Sequence, residues 1–150
     1  MKRVRASVAV PGRPQEAEAL WLDPSRWASW IDGFAHVVRI DPDWPAPGTR
    51  MRWTSTPRGR GLVEERVREH APGERLLLDV EDEKLLGTQE VVFAAAGDEV
   101  HIVLTLEYSL KERTPPLVDR VFVRRQLHES LRRTVARFGH ERRAELEPPH

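Results

Sequence analysis

The chain has 150 residues with 24 basic and 24 acidic side chains, so its formal net charge is zero. That balance argues against nonspecific nucleic-acid binding, whose affinity comes mainly from neutralising phosphates. Cysteine is absent, which excludes disulfides, thiolate metal sites and cysteine nucleophiles. With 39% apolar and 32% charged residues, one domain spanning 1–150 is expected, ordered over about residues 3–143.

Residues 3–10 alternate, with Val4, Ala6, Val8 and Val10 on one face and Arg3, Arg5 and Ser7 on the other. This predicts a half-buried strand ended by Pro11-Gly12. The basic N-terminus is followed by no apolar run of signal-peptide length, and no segment approaches membrane-spanning length. A reducing cytoplasm is therefore expected, with no membrane insertion. PQEAEALWL and DPSRWASWI then predict two short helices, the second capped by Asp23 with Pro24 in its first turn. Trp21, Trp27 and Trp30 are read as a core plug at one end of a sheet, in preference to a stacking platform for a cofactor or sugar.

From Ala35 the period changes to two. Residues 36–40 and 49–55 predict strands joined by DPDWPAPG, with Met51, Trp53 and Ser55 sharing one face. PRGRG lacks the Lys-Ser/Thr signature of a nucleotide loop and is read as a turn. If residues 71–74 form a four-residue loop, His70 faces Arg75, Arg66 faces Asp79, Val67 faces Leu78 and Glu65 faces Val80. A two-residue turn at Gly97-Asp98 sets Phe93 opposite Ile102, Val91 opposite Leu104 and Gln89 opposite Leu106. Both hairpins thus place their apolar sets on one side.

Residues 114–143 predict one long helix, with Thr114 as cap and Pro115 in the first helical position. At 100° per residue Leu117, Val121, Leu131, Val135 and Phe138 form one stripe, flanked by Val118 and Leu127. Eight arginines lie between Pro115 and Arg143. A solvated face explains them more economically than an RNA site. Arg124 and His128 interrupt the stripe. Either Arg124 snorkels and His128 is a hydrogen-bonded core residue, or both face a cavity between helix and sheet.

The order is strand, two short helices, six antiparallel strands and a long helix, which makes an α+β arrangement. Together with DPSRWASWI after the first strand, GTRMRWTS in the third and the C-terminal amphipathic helix, it resembles the START-like superfamily, also called SRPBCC. That superfamily includes bacterial polyketide cyclase/dehydrase-like proteins, lipid-transfer domains and plant pathogenesis-related allergens. The resemblance covers nearly the whole chain. It implies a helix-grip fold, in which a curved antiparallel sheet of about seven strands grips the last helix around a mostly apolar pocket. The superfamily shares no catalytic motif, so it transfers no residue role to this chain.

The register places Glu65 inward among Val63, Val67 and Val80, where a carboxylate is costly unless paired or protonated. Trp53 and Tyr108 also point inward. With Arg124 and His128 from the helix they form a candidate polar cluster, and Trp53, Val67, Leu78, Phe93, Leu104 and Tyr108 are the expected lining of a cavity of roughly 300–1,000 Å³. The alternative for Glu65 is an ion pair with Arg124 that ties helix to sheet. No cofactor or metal is implied, because dinucleotide, triad and His-rich metal patterns are all absent. The leading expectation is binding or transport of a hydrophobic small molecule such as a lipid, a quinone or a polyketide-like compound. The alternatives are a cyclase or dehydratase using Glu65 or His128 as acid or base, and a protein-interaction module using the arginine-rich helix face.

Overall fold

A computed structural model describes residues 1–112 and 115–148. β1 (Lys2–Pro11) buries Val4, Ala6 and Val10 and exposes Lys2, Arg3, Arg5 and Ser7. Its end turns into α1 (Pro14–Trp21), where the Glu16 carboxylate accepts the Arg13 backbone N–H at 2.9 Å. The predicted Asp23 cap is present. Its Oδ1 accepts the Ser25 backbone N–H at 3.1 Å, and the tight turn Pro24–Arg26 leads into α2 (Trp27–Trp30).

β2 (Phe34–Ile40), β3 (Arg50–Ser55), β4 (Leu62–Ala71), β5 (Arg75–Glu81), β6 (Leu85–Ala96) and β7 (Glu99–Leu110) follow as an antiparallel meander. β1 pairs antiparallel with β7, which gives the sheet order β1-β7-β6-β5-β4-β3-β2. Gly87 sits opposite Tyr108, where a Cβ would run into the Glu107 carbonyl oxygen, so only glycine allows β6 and β7 this close.

The β6–β7 hairpin has the expected register, with Phe93 opposite Ile102, Val91 opposite Leu104 and Gln89 opposite Leu106. In the β4–β5 hairpin Glu65, Arg66 and Val67 oppose Val80, Asp79 and Leu78 as expected, but His70 opposes Leu76 and not Arg75. The reason is a register shift between Val67 and Glu69, which absorbs one residue. Gly73, at φ 74°, then closes a shorter loop. The ion pair on the outer face is also diagonal: Arg68, not Arg66, reaches Asp79, at 3.4 Å.

The C-terminal helical run begins with α3 (Pro116–Val118), widens into a π-helical turn (Asp119–Val123) and continues as α4 (Arg124–Leu146). The proposed Thr114 cap lies outside the described residues, and Pro115 precedes the helix. α4 packs on β1 and α2 and buries Leu131, Val135 and Phe138. Leu117 and Val121, expected on the same stripe, are 70% and 44% exposed. Val118 and Phe122 are exposed as well, so the stretch before α4 buries no described apolar side chain. No helix among the described residues is long and apolar enough to cross a membrane.

Candidate functional site

The space between the inner face of the sheet and α4 is filled largely by indoles. Trp21 and Trp30 lie 4.4 Å apart between ring centroids, and both pack against Phe138 at 5.0 Å. Trp27 meets Trp44 edge-on at 5.4 Å, and Phe34 links Trp27 at 6.1 Å to Trp53 at 5.3 Å. These five tryptophans are all that the chain has, and every one lines the same internal chamber. The chamber measures about 70 Å³, well short of the few hundred expected, because aromatic side chains of this size consume the volume between the layers. The three tryptophans of the first helices do form the expected plug, and they also roof the chamber.

Glu65 reaches the chamber from β4, as the register required. Its side chain is almost wholly buried, and its Oε2 accepts the Trp53 indole N–H at 3.3 Å. Burial pushes the Glu65 carboxyl above the usual range, and the Arg60 charge and the Trp53 hydrogen bond only partly offset it. The neighbouring cation is therefore Arg60, not Arg124. Arg60 comes from the loop between β3 and β4, the PRGRG segment read as a plain turn. Its Nε donates to Asp82 Oδ2 at 2.8 Å, and its guanidinium lies 5.7 Å from the Trp53 ring centroid. Asp82 is held at the β5–β6 turn by the backbone N–H groups of Lys84 and Leu85, at 2.8 and 2.9 Å.

On the helix side the chamber is walled by Leu131, Ser130 and Thr134. The Ser130 hydroxyl donates to Asp32 at 2.8 Å, and Arg133 binds the same carboxylate through two nitrogens at 3.0 and 3.1 Å. Partial burial alone would raise the Asp32 pKa. The hydrogen bonds from Arg133 and Ser130, with the charges of Arg133 and Arg137, bring it below the usual carboxylate range instead. This cluster is fully partnered and fixes α4 to the α2–β2 connection. Other groups lack partners. Four buried side-chain donors make no hydrogen bond among the described residues, and three belong to chamber residues: Trp30 Nε1, Trp44 Nε1 and Arg60 Nη2.

Of the expected site residues, Trp53, Glu65 and Leu104 line the chamber. Val67, Leu78 and Phe93 are buried on the same face of the sheet but outside the chamber, with Phe93 packed edge-on against Trp21 at 6.0 Å. Tyr108 is fully buried and also lies outside it. Burial raises the Tyr108 pKa, partly offset by the charge of Arg124. Arg124 and His128 are exposed: Arg124 agrees with the reading in which it snorkels to the rim, whereas His128 is not a core residue, and neither lines the chamber. They lie in the stretch just after the π turn, and His128 opens onto a separate surface groove beside β1. Arg60, Trp44, Gln89 and Thr134 complete the chamber and were not anticipated. The tryptophan content pointed to Trp44 and the hairpin register to Gln89, while no sequence signal pointed to Arg60 or Thr134.

The model of the polyketide cyclase / dehydrase and lipid transport family matches residues 1–141. No curated protein matches the chain. Among solved structures, a START superfamily protein from Mycobacterium smegmatis superposes with a TM-score of 0.77 at 13% identity, covering 95% of this chain and 98% of its own. The di-domain ARO/CYC protein StfQ of the steffimycin biosynthetic pathway gives 0.76 at 17% identity, over 96% of this chain and 52% of that one. TTHA0849 from Thermus thermophilus gives 0.71 at 21% identity, over 97% and 100%. At such identities the structures speak for the fold alone. The family match over nearly the whole length, joined to the helix-grip architecture, places this chain in the polyketide cyclase/dehydrase and lipid transport family of the START-like superfamily.

Proposed function

We propose that the chain binds a small, mostly apolar molecule that carries a hydrogen-bond-accepting oxygen, seated in the tryptophan chamber. The observation that carries this reading is the gathering of partnerless buried donors, on Trp30, Trp44 and Arg60, around one aromatic void. A buried donor without a partner costs about 1–3 kcal/mol. An oxygen-bearing ligand recovers that cost, whereas a hydrocarbon does not. A void of about 70 Å³ seats the head of such a ligand and not a lipid chain, so whole-lipid transport is the less favoured form of the reading. Trp44 and Arg60 are only half-buried, which puts the way in on their side.

Tryptophan fluorescence of the intact protein tests the proposal. Benzoate should quench it saturably, toluene should not, and Arg60→Met should abolish the response to benzoate while the far-ultraviolet circular dichroism stays unchanged. Equal responses to both probes, or a response that survives Arg60→Met, would refute it.

Catalysis by Glu65 is the second reading, favoured by a carboxyl that burial holds protonated above its usual range beside the Arg60 charge. Such a group can give its proton to a carbonyl oxygen while its other oxygen takes the α-proton, so that the enol forms and the carboxyl ends protonated as it began. Product formed from a β-keto thioester by the wild type and not by Glu65→Gln would support it. His128 has no part in it, being outside the chamber.

A further inference from the structure

A groove of about 700 Å³ that shares no lining residue with the chamber lies between the free edge of β1 and α4. Arg5, Ser7 and Val8 wall it on the strand side, and His128, Arg132 and Arg133 on the helix side. In an antiparallel strand, alternate residues send their backbone groups to alternate sides. Ala9 and Pro11 turn their carbonyls away from β7, where they accept from Arg143 at 3.0 Å and from Arg142 at 3.2 Å. By the same parity Arg5 and Ser7 direct both N–H and C=O away from β7, on the side of the groove. Among the described residues nothing bonds to them there. The end of the edge is thus blunted by two arginines, while its middle remains open to pairing.

Charge decides what fits. Arg5, His128 and Arg132 are exposed and make no ion pair among the described residues. Arg133 is already engaged by Asp32, and the one acid in the groove, Glu129, is held by Arg125 at 3.3 Å. The surplus in the groove is positive. A second copy paired through the same edge would bring a second positive groove and, among its described residues, no free carboxylate to neutralise the first. A nucleic-acid strand would satisfy the arginines but has no alternating N–H and C=O to offer the edge.

We propose that an acidic, extended peptide segment of a partner protein adds to β1 at Arg5 and Ser7, with its carboxylates against Arg5 and Arg132. Main-chain bonds provide the pairing, and the arginines provide the selection. This surface is independent of the ligand chamber, and His128 belongs to it.

The test uses the full chain, isotopically labelled, and an eight-residue peptide of alternating Glu and Val. A Lys-Val peptide of the same length is the control. The acidic peptide should bind about tenfold tighter or better, since like-charge juxtaposition is strongly penalised. On saturation the Arg5 and Ser7 amides should shift and become protected from exchange. The double substitution Arg5→Glu, Arg132→Glu, both at exposed positions, should reverse the preference. Ser7→Pro removes an N–H that folding does not use, and should abolish binding. If Ser7→Pro does not fold, the exchange of the Ser7 amide in the wild type decides. Equal affinity for the two peptides, unchanged Arg5 and Ser7 exchange at saturation, or binding that survives Ser7→Pro would overturn the proposal. So would tighter binding of a single-stranded oligonucleotide of equal charge, or self-association of the free protein through β1.

Discussion

Glu65→Gln separates a ligand-facing carboxyl from a structural ion pair. Among the described residues Glu65 makes one hydrogen bond, from the Trp53 indole at 3.3 Å, and the nearby Arg60 is anchored on Asp82 at 2.8 Å and not on Glu65. Glutamine keeps an acceptor for Trp53 and removes the cost of desolvating a charge. Arg60 retains its carboxylate partner. The expected change at neutral pH is within about 1 kcal/mol of the wild type, or a small gain. For a chain of this size that is no more than about 4 °C in Tm. Breaking a buried ion pair would instead cost about 3–5 kcal/mol, a drop of roughly 10 °C. The pH dependence has a definite sign. Burial raises the folded-state pKa of Glu65, so the stability that Glu65 contributes is greatest below the ordinary glutamate range. That stability is lost as pH rises through the folded-state value. Glutamine does not titrate. The Tm of Glu65→Gln minus that of the wild type should therefore increase between acid and neutral pH. Thermal melts of both proteins across that range are the assay. A loss of about 10 °C at neutral pH, the ion-pair figure, or a difference that shrinks as pH rises, would refute the reasoning.

Three further outcomes are expected. Tyr108 is the chain's one tyrosine and is buried, so its ultraviolet absorbance should titrate with a midpoint above the ordinary value of about 10; a midpoint at the ordinary value would mean that the hydroxyl is solvated. Asp32→Asn should cost about 1–3 kcal/mol at neutral pH, because the Arg133 and Ser130 bonds lose their charge. Its folded-state pKa is lowered, so the wild-type advantage should persist above the ordinary aspartate range and vanish as pH falls through the folded-state value, as urea titrations at several pH values would show. Gly87→Ala should destabilise by about 1–3 kcal/mol through the clash with the Glu107 carbonyl, and a neutral denaturant midpoint would contradict the close β6–β7 approach.

Much of the architecture follows from local chemistry. The period-two runs, the Asp23-Pro24 helix start and the Gly97-Asp98 turn are decided by neighbouring residues, so the element order and the β6–β7 register could be read directly. The inward placement of Glu65 followed from the same counting, since the shift beyond Val67 leaves Glu65 opposite Val80. Three features depended on the assembled structure. No described side chain between Pro116 and Glu129 is buried, so Leu117, Val121, Arg124 and His128 are exposed although the stripe continues through Leu131 and Val135 of the same run. A periodicity marks which face is apolar and not how far along the helix a surface covers it. The chamber volume was set by how five indoles from four separate segments share one interior, and no spacing along the chain encodes that. Arg60 displaced Arg124 as the cation beside Glu65 because a surface turn folds back over Trp53 to reach Asp82, a carboxylate 22 positions away. A turn's sequence states that the chain reverses there. Which buried charge its side chain then meets is decided by the sheet that brings the two together.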